Sequence, residues 1–172
     1  MSTPYAHLLG QWPIMLLEAY AVEQVEQHAI AFCPHEFGTR TPELILAAIK
    51  YSTGQDGPIV IASSCILHKD WRTKVEAAGV QATVVPITTG RKNPWMDQGR
   101  MPKDLPDEPV AVLIDLRNSW GEKIRTTEAI EQVRQRFSNV GKIVLLLNTS
   151  HPEAMQVFVA AVHGSDTKPR SE

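Results

Sequence analysis

Five short runs rich in β-branched and aliphatic residues, at 29–32, 58–62, 82–87, 110–114 and 143–147, punctuate the chain, and each is largely apolar without strict alternation. Runs of that kind belong to strands buried on both faces. Between and around them lie segments with helical patterning: 14–27, 43–51 after a Thr-Pro start, 69–78 closing at Gly79, 125–137 ending before Gly141, and 153–162. Proline in a first turn and glycine just past a last one are helix-boundary signals. A parallel crossover takes a dozen or more residues, which helices supply. The order therefore predicts an α/β fold with a mainly parallel five-stranded sheet covered on both faces.

At 172 residues the chain suits one domain. We expect that domain to occupy 1–163, followed by a flexible polar tail at 164–172 that lacks large apolar residues. The stretch 88–108 contains Gly90, Pro94, Gly99, Pro102 and Pro106 and reads as a long loop. Loops of that length are functional or degenerate segments more often than plain connections. A formal net charge of −2 excludes a global positive field. Within the loop, Arg91, Lys92, Arg100 and Lys103, interspersed with Trp95 and Met96, form a local basic patch suited to DNA backbone. The plainer reading is a solvated loop. Cys33 and Cys65 make no CxxC pair and read as reduced thiols of an intracellular protein. No apolar run approaches the roughly 20 residues needed to span a bilayer, so membrane insertion is not expected.

Ligands of open parallel sheets collect at the carboxyl ends of the strands. Here the chemistry-bearing residues follow those ends: CPHEFGTRT after the first run, SSCILHK after the second, TTGRK after the third, DLRNSWGEK after the fourth and NTSHPE after the fifth. The first loop leads through Gly38, Thr39, Arg40 and Thr41 into a helix, as a phosphate-binding loop does. Such a loop needs glycines for close backbone approach, a lysine for the β and γ phosphates and a hydroxyl for magnesium. Thr41 supplies the hydroxyl, Arg40 stands where lysine is expected, and only Gly38 supplies flexibility. Asp115, ending the fourth run, is the candidate magnesium-side carboxylate.

The segment FCPHEFGTRTPELILAAIKYSTGQDGPIVIASSCILHKDW resembles the first motifs of the Swi/Snf-type helicase-like ATPases, where GLGKT opens a helix and a later strand leads to an aliphatic pair and a tryptophan, here Trp71. VAVLIDLRNSWGEKIRTTEAIEQV is similar to their DEAH segment with its trailing helix, and KIVLLLNTSHP to their strand ending in LTGTP. Order and spacing agree from about 29 to 152. The resemblance implies a P-loop-NTPase-like (RecA-like), three-layer lobe, the first of two in that family, with ATP and magnesium bound through Gly38, Thr39, Arg40, Thr41 and Asp115, the metal by Thr41 and Asp115. It also implies chromatin work in a nucleus, a second ATPase lobe or other protein as partner, and DNA as a further one.

Departures from the family pattern point to a degenerate copy. Arginine for the phosphate-loop lysine exchanges a compact charge for a planar fork. Leu116-Arg117-Asn118 after Asp115 removes the glutamate that would activate water, a contribution worth about 10²–10⁴-fold. The expected product is a noncatalytic lobe serving as an interaction module or weak ATP-binding module, with ATP and magnesium held weakly or lost. One alternative is an ATP-binding lobe that works on DNA with a partner lobe. Another is an unrelated small-molecule hydrolytic enzyme, since LIDLRN resembles the aspartate strand of isochorismatase-like cysteine hydrolases; both cysteines, however, precede Asp115, the reverse of that family's order. Cys33 with His35, and Cys65 with His68, read more simply as packed thiols and local histidines than as metal ligands, and His151 as a turn residue.

Overall fold

The computed structural model describes residues 14–35, 39–53, 57–86, 105–117 and 126–148. The elements run α1 (Ile14–Gln27), β1 (Ile30–His35), α2 (Thr41–Thr53), β2 (Ile59–Ser63), a 3₁₀ turn (Cys65–Leu67), α3 (His68–Ala78), β3 (Ala82–Pro86), β4 (Ala111–Asp115), α4 (Thr126–Arg136) and β5 (Lys142–Asn148). All five strands are parallel, in the order β1-β5-β4-β2-β3. The expected helix at 153–162 and the tail lie outside the described residues, as does most of the 88–108 loop; residues 105–108 carry neither helix nor strand.

Side chains alternate across each strand, so the uninterrupted apolar runs feed two separate cores. Ala31, Cys33, Ile61, Leu113, Val144 and Leu146 face one side, where they pack with Ala21 and Val25 of α1, Ile45 and Ile49 of α2, and Trp71 of α3. Val60, Val112, Ile114, Leu145 and Leu147 face the other, under Ile130 and Val133 of α4 and Phe137 beyond it. The result is the expected three-layer α/β arrangement, with α1, α2 and α3 on one face and α4 on the other.

Most boundaries shift by a residue or two, and two of the shifts have a clear physical reason. β1 runs past 32 to His35 although Pro34 lies within it. A proline, lacking a ladder donor, is tolerated in an edge strand, and β1 is at the edge. α2 begins at Thr41, not 43, with Pro42 in its first turn, where the missing N–H breaks no helical bond. α3 ends where Gly79 adopts φ 64°, a left-handed geometry that costs glycine little; its N–H returns to the Glu76 carbonyl at 3.1 Å and that of Val80 to Val75 at 3.3 Å.

Candidate functional site at the carboxyl edge of the sheet

Period-two geometry selects which residues meet at this edge. Ala111 and Leu113 of β4 face the α1–α3 side, so Asp115 faces it too. On β1 the same parity carries Ala31 and Cys33 on to His35, and on β5 it carries Val144 and Leu146 on to Asn148. β5 lies between β1 and β4, with His35 in register with Asn148 and Asp115 with Leu146. A polar row therefore crosses three strand ends just above an apolar floor.

Asp115 is its centre, with a side chain that has no exposed surface. Its Oδ2 accepts the Trp71 indole N–H at 2.8 Å. Arg117, two residues on, folds back onto it: Nη2 donates to Oδ2 at 2.7 Å, Nε to Oδ1 at 2.9 Å and Oδ2 at 3.1 Å, and the backbone N–H to Oδ1 at 3.0 Å. The guanidinium, 11% exposed, also lies 5.6 Å from the Trp71 ring centroid, within range of a cation–π contact. Both carboxylate oxygens thus carry charge-assisted bonds of the strong, forked kind. β2 and β4 are neighbours, and the helices that follow them go to opposite faces. Asp115 consequently stands at the topological switch point of the sheet, the place where open α/β sheets as a class bind ligands, and Trp71 reaches it there from α3.

The Arg117 network continues toward β1. Its Nη1 lies 3.4 Å from His35 Nε2, and since guanidinium only donates, Nε2 is the acceptor and the neutral ring carries its proton on Nδ1. That Nδ1 is buried with no hydrogen-bond partner among the described residues. Burial first, and the Arg117 charge second, hold the His35 pKa below the ordinary imidazole value, while the Asp115 charge pulls the other way. Asn148 donates Nδ2 to the Arg117 carbonyl at 2.7 Å, which ties β5 to the turn after β4.

Of the residues singled out in the sequence, Gly38 lies outside the described residues, as do Arg91, Lys92, Arg100, Lys103 and His151. Thr39 and Arg40 lead into α2, and the Arg40 side chain is exposed. Thr41 is fully buried, its hydroxyl without a hydrogen-bond partner among the described residues. The strand leading to Thr41 and the strand ending at Asp115 flank β5, so both groups lie at the same edge of the sheet. Arg40 supplies the first carbonyl of α2, accepting the Leu44 N–H at 3.1 Å, and its own N–H donates to Glu18 Oε1 at 2.8 Å. Glu43, three residues on, is where a capping box would draw its carboxylate. It pairs instead with Lys74 of α3 at 3.2 Å.

Cys33 and His35 do not act together. The Cys33 thiol is fully buried and points to the Ala21 carbonyl at 3.6 Å, and burial pushes its pKa upward. His68 has Nε2 3.0 Å from the Ser63 carbonyl and so carries its proton there. Among the described residues no three His, Cys, Asp or Glu side chains are placed to share a metal ion. Sequence reasoning missed Arg117 as the partner of Asp115 and Glu18 altogether, and placed Asn148 at a strand end without a partner. An Asp-x-Arg pair at a strand end was a visible signal for the first; nothing local marked the other two.

Fold and edge together define an α/β domain with an all-parallel sheet whose carboxyl edge holds a closed carboxylate–guanidinium–indole cluster. No protein-family model, curated protein or solved structure matches the chain. No helix among the described residues is long and apolar enough to cross a membrane.

Proposed function

We propose that the chain is a noncatalytic, degenerate helicase-like lobe of the Swi/Snf type, acting as an interaction module or weak ATP-binding module. One observation carries the reading: the Asp115 carboxylate is satisfied from within the chain. In an active lobe the corresponding aspartate would help hold magnesium. Here Arg117 puts its guanidinium on both carboxylate oxygens and Trp71 adds an indole donor. An internal cation does the neutralising, and Asp115 as arranged does not fit the role of magnesium ligand. The absence of a glutamate after Asp115 agrees with this, because no carboxylate in that position is left to activate water.

A nuclear, chromatin-associated setting with a protein partner or second ATPase lobe goes with the reading. Contact with DNA through Arg91, Lys92, Arg100 and Lys103 belongs to it as well. A second reading, an ATP-binding lobe completed by a partner lobe on DNA, is favoured by Thr41, whose buried hydroxyl has no partner among the described residues at the start of α2, where such a lobe would place it toward magnesium.

Titration with a fluorescent ATP analogue and magnesium tests both, following binding and phosphate release in the parent, Arg40→Ala and Asp115→Ala proteins. Melting curves of each variant separate unfolding from loss of ligand. The noncatalytic reading expects no phosphate release from any of them. Saturable binding weakened by Arg40→Ala selects the weak ATP-binding module, and no binding at millimolar ATP selects the interaction module. Sustained release abolished by Asp115→Ala in a folded variant overturns it.

A further inference from the structure

We propose that His35 is a proton-operated cover on Arg117: the neutral ring seats against the guanidinium, and the charged ring turns out to solvent while Asp115, Arg117 and Trp71 stay as they are. The proposal stands on the geometry of the cluster and does not depend on the helicase-like reading of the fold.

The two sides of the contact are held very unequally. Arg117 is fixed from several directions: Nη2, Nε and its backbone N–H all donate to Asp115 within 3.1 Å, and its carbonyl accepts Asn148 Nδ2 at 2.7 Å. Opening that fork would leave the Asp115 carboxylate, which has no exposed surface, without its counter-ion. His35 is held at one atom. Its Nε2 accepts Arg117 Nη1 at 3.4 Å, long for such a bond, and its Nδ1 is buried with no hydrogen-bond partner among the described residues. It is also the last residue of edge strand β1 and only half-buried. A change of side-chain rotamer takes the ring from guanidinium to water, where Nδ1 gains the acceptor it lacks.

One proton decides between the two positions. Guanidinium only donates, so the seated ring must present Nε2 as a bare acceptor. Protonation puts an N–H on that nitrogen, and two donors and two positive charges then face each other. Burial of the seated ring and then Arg117 oppose the charge, while Asp115 of β4 and Glu43 of α2 favour it. Glu43 is already paired with Lys74. Asn148 of β5, in register with His35, carries no charge, and burial keeps the Cys33 thiol of β1 neutral. The seat therefore takes the neutral ring and water takes the imidazolium. Turned out, the ring titrates near the ordinary value of about 6.5, so an observed midpoint one pH unit lower means about a tenfold preference of the neutral ring for its seat.

Histidine NMR on the full ¹⁵N-labelled chain tests the cover, with His35→Gln assigning its ring among the six histidines. At pH 7.5, two-bond ¹H–¹⁵N correlations should show His35 as the Nδ1–H tautomer, with its ring protons shielded from a neutral gadolinium chelate. As pH falls, the ring should titrate below the ordinary value. Relaxation of its protons by the chelate should rise with the same midpoint toward the level at exposed His28. The Trp71 indole N–H resonance, assigned with Trp71→Phe, should hold its hydrogen-bonded position throughout. Arg117→Lys keeps a counter-ion for Asp115 and removes Nη1, so the chelate should reach its His35 already at pH 7.5. An Nε2–H tautomer at pH 7.5, or relaxation that does not follow the titration, overturns the proposal. So does a ring still shielded in folded Arg117→Lys, or loss of the Trp71 hydrogen bond at the same midpoint, because the cluster and not the ring would then be what opens. The tautomer, the relaxation and the indole signal are all read on the unmodified chain, so the test holds even if Arg117→Lys folds poorly.

Discussion

Trp71 and Asp115, 44 residues apart in sequence, meet through an indole N–H donated to Oδ2 at 2.8 Å inside the core. The pairing depends on two independent parities. Asp115 inherits its direction from Ala111 and Leu113 along β4, and Trp71 is the fully buried residue of α3, which packs on that same face. A tryptophan buried at that depth requires an acceptor for its N–H. A buried aspartate requires donors, and each group meets the other's need.

Replacing Trp71 with phenylalanine keeps an aromatic ring in the core but removes the donor. A hydrogen bond to a charged group contributes about 1.5–3 kcal/mol, and the smaller ring adds a packing loss. Urea unfolding of Trp71→Phe should show a lower midpoint by an amount in or above that range with an unchanged m-value. A midpoint equal to that of the parent would remove Asp115 as a partner of any weight.

The Asp115–Arg117 pair makes a sharper prediction. Because the carboxylate has no exposed surface, Arg117→Ala leaves a buried charge without its counter-ion, a change that costs about 3–5 kcal/mol in comparable sites. Removing both charges together, as in Asp115→Asn with Arg117→Gln, should recover much of that loss, since the penalty belongs to the unpaired group. A double-mutant cycle in urea measures the coupling. Additive effects of the two single changes would mean that the pair is not coupled.

Much of this architecture was legible in the sequence because burial on two faces forces uninterrupted apolar runs such as 110–114 and 143–147, and helix ends carry their own marks, as Gly79 does at the end of α3. Asp115 was legible for a related reason: a charged residue closing an apolar strand has few places to go but the carboxyl edge. What a single sequence did not reveal is which groups long-range packing delivers to that edge. Glu18 reaches Arg40 because α1 lies against α2, and Asn148 reaches Arg117 because β5 inserts between β1 and β4. Strand order has no local signature, so neither contact can be read from spacing.

His35 gives the fold a dependence on pH. Its folded-state pKa lies below the ordinary value of about 6.5, chiefly through burial and then through Arg117, so the unfolded chain takes up a proton first as pH falls. The stability contribution of the neutral ring is complete above that ordinary value. It declines as pH drops below it and stops declining once the folded-state pKa has been passed. Urea midpoints should therefore fall between pH 7.5 and pH 5.5, and His35→Gln should flatten that part of the profile. A profile already flat in the parent, or equally steep in His35→Gln, assigns the dependence elsewhere.

Cys33 bears on the alternative of a small-molecule hydrolytic enzyme, which would need a thiol able to ionise and to reach substrate. The Cys33 sulfur is fully buried beside Ala21, and its pKa is pushed up by that burial, so thiolate is scarce and access closed. Nucleophilic cysteines occupy the opposite environment, partly exposed and electropositive. In a Cys65→Ser variant, which leaves Cys33 as the one thiol in the sequence, labelling by a disulfide reagent at pH 8 should proceed only through opening of the fold. When opening and closing are fast relative to labelling, the rate follows the population of the open form. It should then rise steeply with sub-denaturing urea, in parallel with the global unfolding free energy, and fall in any variant that stabilises the core. Rapid labelling in the absence of denaturant, insensitive to urea, would show an accessible thiolate and return the hydrolytic reading to consideration. Slow, urea-dependent labelling instead makes Cys33 a packing residue of the face that carries Trp71, and its substitution by alanine should then lower stability without altering any ligand response at the carboxyl edge.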